Sequence, residues 1–210
     1  MKLFLSSALL PPGLRSDFLK LVGKPAADTR LVLIENAADL YPPEKRGFVG
    51  RNEEELISAG LQPTILDLRE YIGHPGQLEQ VLSQFDVMCF SGGNTFYLRH
   101  LMKKVGLEPI IPRLLEKGIV YMGGSAGTVV AGPTLKFFEA MDSLDQAPEV
   151  IWEGLGLVDF IPLPHWNTPK YQEGLERLRE NLLTLGKEVV TIMDDQVIIV
   201  ENNVQRIVPG

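Results

Sequence analysis

The residues best suited to chemistry are a serine and the small residues around it, Gly-Gly-Ser-Ala-Gly at 123–127. The pattern Gly-x-Ser-x-Gly is typical of a nucleophile elbow, a sharp strand-to-helix turn that exposes the serine hydroxyl. Small neighbours fit this interpretation because bulky side chains would collide in such a turn. The apolar run at 119–122 that precedes Ser125 is typical of a strand. The alternative is a glycine-rich packing turn whose serine has no chemical role.

A nucleophilic serine needs a general base, and the chain contains three histidines. His165 follows an apolar, strand-like run and lies between Pro164 and Trp166, which favours a rigid loop at a strand end. In α/β folds, such loops carry catalytic groups. His74 falls in a predicted turn, and His100 falls on a predicted helix where a surface or helix-end position is expected. His165 is therefore the predicted base, with a half-buried structural role as the alternative.

Acyl transfer also needs hydrogen-bond donors for the oxyanion that develops in the transition state. The backbone N–H of Ala126, directly after the serine, is one predicted donor. The loop Ser-Gly-Gly-Asn-Thr at 91–95 follows another buried-strand pattern and is the predicted source of the second donor. This loop has neither the Lys-Ser/Thr ending of a P-loop nor the spacing of a dinucleotide fingerprint. A plain turn is the alternative.

The elements that must position these residues alternate between short apolar runs and helical patterns. Strands are predicted at 2–7, 30–38, 62–71, 86–93 and 119–124, and helices at 13–23, 53–61, 75–85, 95–106 and 107–118, with breaks at Pro109 and Pro112. This alternation predicts an α/β fold with a mainly parallel sheet and helices on both faces. Three short strands at 188–195, 196–203 and 204–210 predict a C-terminal antiparallel extension at one edge. A single domain over residues 1–210 is expected.

Composition argues against several classes of protein. A net charge of −7 without a basic block disfavours a nucleic-acid binder, because phosphate contacts need clustered Lys and Arg. No apolar run reaches the roughly 18 residues of a membrane span, and the short apolar start does not fit a signal peptide, so a cytoplasmic protein is expected. The lone Cys89 lies in an apolar run and is predicted to be a core thiol. The patterns of metal, nucleotide and flavin sites are missing from the sequence, so no cofactor is predicted.

Three segments together resemble the peptidase E family of serine peptidases, which includes aspartyl dipeptidases and is related to cyanophycinases. They are Ser-Gly-Gly-Asn-Thr-Phe-Tyr-Leu at 91–98, Gly-Gly-Ser-Ala-Gly at 123–127 followed by Ala-Gly-Pro-Thr at 131–134, and Phe-Ile-Pro-Leu-Pro-His-Trp-Asn at 160–167. Their order and approximate spacing match the family over most of the chain. The resemblance implies a fold similar to class I glutamine amidotransferases, with serine in place of their cysteine.

The resemblance also implies roles for individual residues. These are the nucleophile Ser125, the base His165, the oxyanion donors Gly93 and Ala126, and the substrate-binding residues Gly92 and Asn94. Where the family commonly has three glycines before Asn-Thr, this chain has Ser91 first, and the donor glycine remains.

The carboxylate that would complete a triad is left open between two aspartates. The family commonly has a Glu in the loop before the last strands, and here that loop holds Asp194 and Asp195. Either is shorter than Glu by one methylene, and both also fit a turn in which Asp bonds to the backbone. Glu139 and Asp142 are the candidates nearer the serine.

The predicted function is a serine peptidase that acts on dipeptides or other small acyl substrates. Dipeptidases of the family carry an arginine three residues before an Arg-x-Arg pair, and here the pair begins at Arg177 while the expected position is Gly174. A weakened or changed preference for Asp is therefore expected, unless Arg177, Lys170 or another loop supplies the cation. The alternatives are a small-acyl esterase and a non-catalytic binding or stress-related protein on the same scaffold. The sequence predicts no oligomeric state.

Overall fold

The computed structural model describes residues 1–202 and 204–210, without the side chains at positions 45 and 48. The strands are β1 Lys2–Ser6, β2 Arg30–Ile34, β3 Gln62–Ile65, β4 Val87–Phe90, β5 Val120–Gly124, β6 Ile161–Leu163, β7 Val189–Thr191, β8 Gln196–Glu201 and β9 Val204–Pro209. The α-helices are α1 Arg15–Val22, α2 Gly47–Ser58, α3 Pro75–Leu82, α4 Thr95–Lys104, α5 Ile110–Glu116, α6 Ala126–Val129 and α7 Gln172–Leu183. Among these helices, none has the length and apolar character needed to span a membrane.

Seven strands form the central sheet, in the order β3-β2-β4-β5-β1-β8-β9. The five strands from β3 to β1 are parallel to one another, whereas β8 and β9 add an antiparallel hairpin beside β1. The predicted mainly parallel sheet with antiparallel C-terminal strands is therefore confirmed.

Helices cover both faces of this sheet because its inner strands are apolar on both sides. In β4, Met88 and Phe90 contribute to a core that also contains residues of α3, α4, α5 and α7. Val87 and Cys89 face the opposite core, with residues of α1 and α2. The predicted burial of Cys89 is confirmed, and burial raises the pKa of its thiol well above the usual value.

Two predicted strands extend into segments that fold as 3-10 helices. The strand predicted at 62–71 ends at Ile65 and is followed by a 3-10 helix, which Asp67 caps by accepting the N–H of Arg69 at 2.9 Å. The strand predicted at 30–38 ends at Ile34 and is likewise followed by a 3-10 helix.

Two predicted helices also differ from those observed. Helix α2 begins at Gly47, ahead of the predicted start at 53. Pro112 does not break a helix, because it is the third residue of α5. A proline N–H is not needed there, since the first turn of a helix has no carbonyl to receive it.

The strand predicted at 188–195 does not belong to the antiparallel extension. Its ordered part, β7, pairs in parallel with β6 in a separate two-stranded sheet, and α7 connects the two strands. The pairing continues beyond the strands, because the N–H of Trp166 donates to the carbonyl of Ile192 at 3.1 Å. The segments that follow β6 and β7 therefore lie next to each other.

Candidate active site

The site forms where neighbouring strands of the central sheet end. The order β4-β5-β1 brings together the loop after β4, the turn after β5 and the residues after β1. Parallel strands all present their carboxyl ends at one edge, which is where open α/β sheets bind ligands. Gly92, Ser125 and Ser7 follow these three strands and line one cavity.

Ser125 lies at the sharp turn between β5 and α6, with φ 49° and ψ −107°. Non-glycine residues rarely adopt this conformation, which costs about 1–3 kcal/mol. The N–H of Ser125 donates to the carbonyl of Ser6 at 3.1 Å, which fixes the turn against β1. The turn also needs Gly127, because a Cβ there would lie 2.1 Å from the carbonyl oxygen of Phe90. The small residues around Ser125 are thus required by the close approach of the backbone.

His165 connects Ser125 to a carboxylate. Its Nε2 lies 2.9 Å from Ser125 Oγ, and its Nδ1 lies 2.7 Å from Asp194 Oδ1. A neutral imidazole that donates from Nδ1 to the carboxylate has its lone pair on Nε2, ready to accept the serine proton. The structure therefore brings together three of the predicted residues, Ser125, His165 and Asp194, in one series of contacts.

Asp194 is held at both carboxylate oxygens. The hydroxyl of Ser7 donates to Oδ1 at 2.5 Å, and the hydroxyl of Thr168 donates to Oδ2 at 2.8 Å. Burial raises the pKa of Asp194, but the hydrogen bonds from Ser7, Thr168 and His165 together bring it below the usual value. Asp194 is therefore an anion at neutral pH.

The other candidate carboxylates lie elsewhere. Asp195 is exposed, and its carbonyl accepts the N–H of Gly210 at 2.7 Å, so it behaves as a turn residue. Glu139 is exposed and does not line the cavity. Asp142 does line the cavity, where it accepts the N–H of Thr95 at 2.9 Å, and burial raises its pKa.

Two backbone N–H groups beside Ser125 are suited to an oxyanion. Ala126 is the first residue of α6, and Gly93 follows β4 with φ 145°. Neither N–H donates a hydrogen bond within residues 1–202 and 204–210. Gly93 must be glycine, because a Cβ would lie 2.3 Å from the backbone of Ala37. Gly92 lies against the serine, since a Cβ there would be 3.2 Å from Ser125 Cβ.

Two polar residues are placed differently from expectation. Asn94 does not line the cavity but caps α4, since its side chain accepts the N–H of Tyr97 and donates to the carbonyl of Ser143, both at 2.8 Å. His100 is buried in the middle of α4 and not at its surface, because that helix is covered on all sides. His74, in contrast, is exposed in the predicted turn before α3.

The cavity over Ser125 has a volume of about 510 Å³ and is lined by residues from both sides of the sheet edge. Its acidic and basic side chains, within the part of the chain that the structure describes, are Arg51, Glu55, Asp142 and His165. Arg51 and Glu55 lie one helical turn apart on α2, and no motif in the sequence marks them as site residues. Ser7 and Thr168 were also missed, although a Ser-Ser pair that ends a first strand was a signal of a polar strand end.

Comparisons with known proteins identify a family and related chains. The model of peptidase family S51 matches residues 12–208. A Listeria monocytogenes protein named as an uncharacterized peptidase is 29% identical over 160 residues, which are 69% of this chain and 77% of that protein. A peptidase E of Streptomyces coelicolor is 35% identical over 107 residues, which are 48% of this chain and 43% of that protein.

A solved structure shows the same fold. The crystal structure of a candidate peptidase E from Listeria monocytogenes superposes with a TM-score of 0.84 at 23% identity, covering 100% of this chain and 98% of that one. Since the family model extends over most of the residues that build the sheet and the cavity, the chain belongs to peptidase family S51.

Proposed function

We propose that this protein is a serine peptidase that hydrolyses dipeptides or other small peptides through an acyl-enzyme on Ser125. The observation that carries the proposal is the continuous series of contacts from Asp194 through His165 to Ser125. The backbone N–H groups of Gly93 and Ala126, which donate no hydrogen bond within residues 1–202 and 204–210, support it further. A non-catalytic binding protein would have no need of this arrangement on a strained turn.

The reaction follows from these groups. His165 Nε2 takes the hydroxyl proton while Ser125 Oγ bonds to the scissile carbonyl carbon, and the carbonyl electron pair moves to its oxygen. The N–H groups of Gly93 and Ala126 stabilise that oxyanion. The C–N bond then breaks, and the leaving amine takes the proton from Nε2. Water attacks the ester, His165 takes the proton of that water and returns it to Ser125, and the acid leaves.

The charges of the cavity favour a small zwitterionic peptide. Asp142 is a half-buried carboxylate on the cavity wall, so a bound ammonium group would complete its pairing. Arg51 has no ion-pair partner among the residues that the structure describes, and it supplies a cation for a carboxylate. These residues suit the free amino group and an acidic side chain of a dipeptide better than the uncharged ends of a simple ester. A peptidase is therefore preferred to an esterase.

Asp142 is expected to bind the substrate at a cost to stability. Its raised pKa means that the folded protein holds the proton more tightly than the unfolded chain, so its contribution to stability falls as pH rises through the carboxyl range. At pH 7 the variant D142N should therefore have a higher Tm than the wild type and a higher KM for dipeptides. The gain should disappear near pH 3, where Asp142 is protonated. A lower Tm for D142N at both pH values would contradict this role.

The basic residues near the position where the family carries its arginine are exposed and already contact other side chains. Gly174 is exposed and has no side chain, Arg177 is exposed and pairs with Glu173, and Lys170 lies over the ring of Tyr171. Arg51 is thus the proposed partner of a substrate carboxylate. Because an exposed ion pair contributes about 0.2–1 kcal/mol, we expect a preference for Asp-Leu over Asn-Leu of no more than about fivefold in kcat/KM.

The preference is tested by measuring kcat/KM for Asp-Leu, Asn-Leu and Ala-Leu, with the wild type and with two arginine variants. R51M should remove the small preference for Asp-Leu, whereas the matched control R177M should keep it. A preference of about a hundredfold, or roughly 2.7 kcal/mol, that persists in R51M would show that another cation holds the substrate. Hydrolysis of simple esters without hydrolysis of any dipeptide would favour the esterase instead.

A further inference from the structure

Ser7 is a buried serine whose hydroxyl contacts both His165 and Asp194. It lies directly after β1 and is 2% exposed. Its Oγ lies 2.5 Å from Asp194 Oδ1, 2.8 Å from the backbone nitrogen of His165 and 3.1 Å from His165 Nδ1. One hydroxyl therefore joins the carboxylate to the backbone and the ring of the histidine.

The chemistry of these groups fixes the direction of each hydrogen bond. A serine hydroxyl has one proton to donate and two lone pairs to accept with. The backbone N–H of His165 can only donate, and the carboxylate of Asp194 can only accept. The Ser7 proton therefore points to Asp194, and one lone pair receives the His165 N–H. This leaves the Nδ1–H of the ring to donate to Asp194, where the distance is 2.7 Å.

His165 needs such an external contact because its backbone is strained. Its φ of 64° lies in the left-handed region, which is unfavourable for a residue with a side chain. Strained conformations persist only where surrounding contacts hold them. The Ser7 hydroxyl holds the N–H of this residue and, through Asp194, one end of its ring. The hydroxyl of Thr168 donates to the second carboxylate oxygen and not to His165.

The element that carries Ser7 is itself rigid. Strand β1 lies inside the sheet, with β5 on one side and β8 on the other. The preceding residue, Ser6, accepts the N–H of Ser125 through its carbonyl at 3.1 Å. Two consecutive residues at the end of β1 therefore fix the serine turn and the histidine loop relative to each other, although these lie 40 residues apart in the chain.

We infer that Ser7 is a positioning residue that holds the imidazole of His165 and the carboxylate of Asp194 in the arrangement required to activate Ser125. Its catalytic consequence rests on the proposed function. Without the Ser7 hydroxyl, Asp194 Oδ1 keeps only its bond from His165 Nδ1, and Thr168 at Oδ2 is the one remaining hydroxyl that holds the carboxylate against rotation. The His165 backbone also loses the acceptor of its N–H.

The experiment compares S7A with T29V, which deletes another buried hydroxyl far from the site. Thr29 precedes the amino end of β2, whereas Ser7 follows the carboxyl end of β1. The Thr29 hydroxyl donates to the carbonyl of Pro25 at 2.9 Å. The first readout is the downfield NMR resonance of the His165 Nδ1–H, and the second is the rate of labelling by a fluorophosphonate probe. S7A should lose the resonance and label about 10-fold to 100-fold more slowly, as expected for a misplaced base. T29V should retain both.

The double variant S7A/D194N separates positioning from packing. If Ser7 acts through Asp194, adding S7A to D194N should change the labelling rate by less than about threefold, because coupled residues are not additive. An S7A protein that keeps the resonance and labels at the wild-type rate would overturn the inference. If S7A does not fold, S7C fills the same space with a weak donor, and a wild-type labelling rate for S7C would overturn it as well. If the wild type itself fails to label, the proposed function fails, while the NMR resonance still decides the role of Ser7.

Discussion

Replacement of Ser125 by alanine is expected to lower the rate of dipeptide hydrolysis by at least about a thousandfold, as for other triad nucleophiles. The loss follows because no acyl-enzyme can form without Oγ, which lies 2.9 Å from His165 Nε2. The fold should persist, since the serine makes its structural contact through its backbone N–H to Ser6. The measurement is kcat for a dipeptide that the wild type hydrolyses, together with circular dichroism and Tm.

A matched control for this variant is S83A. Ser83 is an exposed serine at the end of α3 whose hydroxyl donates to the carbonyl of Glu79 at 2.7 Å. S83A should keep wild-type activity. Turnover by S125A within about tenfold of the wild type, a difference of about 1.4 kcal/mol, would contradict the assignment of Ser125 as nucleophile.

The substitution D194N is expected to lower kcat by up to about 10⁴-fold, because an amide in place of the carboxylate favours the wrong imidazole tautomer. Asp194 accepts from His165 Nδ1 at 2.7 Å, whereas Asp195 is exposed and does not line the cavity. D195N serves as the control and should stay close to the wild-type rate. The two variants differ by one position in the same loop, so a disturbance of the loop itself would affect both.

Equal and small effects of D194N and D195N would contradict a role for this loop in catalysis. The site would then work as a Ser125–His165 dyad or would use Asp142, a half-buried carboxylate that lines the cavity. Adding D142N to each variant distinguishes these cases. A large loss that appears only with D142N would assign the carboxylate to that residue.

The parts of the site that sequence could predict are those with a local signal. The small residues around Ser125 mark a tight turn, and the structure explains them by close approaches such as that of Gly127 to Phe90. Apolar runs that end in glycine or proline mark strand ends, and the structure has Gly93 and Ser125 after strands of the central sheet and His165 after β6 of the two-stranded sheet.

The parts that sequence could not predict depend on pairings between distant segments. Strands β6 and β7 have three residues each and are separated by α7, so their apolar patterns are too short to reveal a parallel pair. That pairing selects Asp194 over its neighbour Asp195. Ser7 was missed for the same reason, since its partners lie 158 and 187 positions further along the chain.

The most direct test of the proposed mechanism is covalent labelling with a fluorophosphonate, followed by intact-mass measurement and peptide mapping. A serine activated by His165 attacks the phosphorus and displaces fluoride, so the wild type should gain one adduct and the modified residue should be Ser125. S125A should gain none, and D194N should react far more slowly. A folded wild-type protein that gains no adduct, or one that is modified at another residue, would contradict the central claim that Ser125 is the nucleophile.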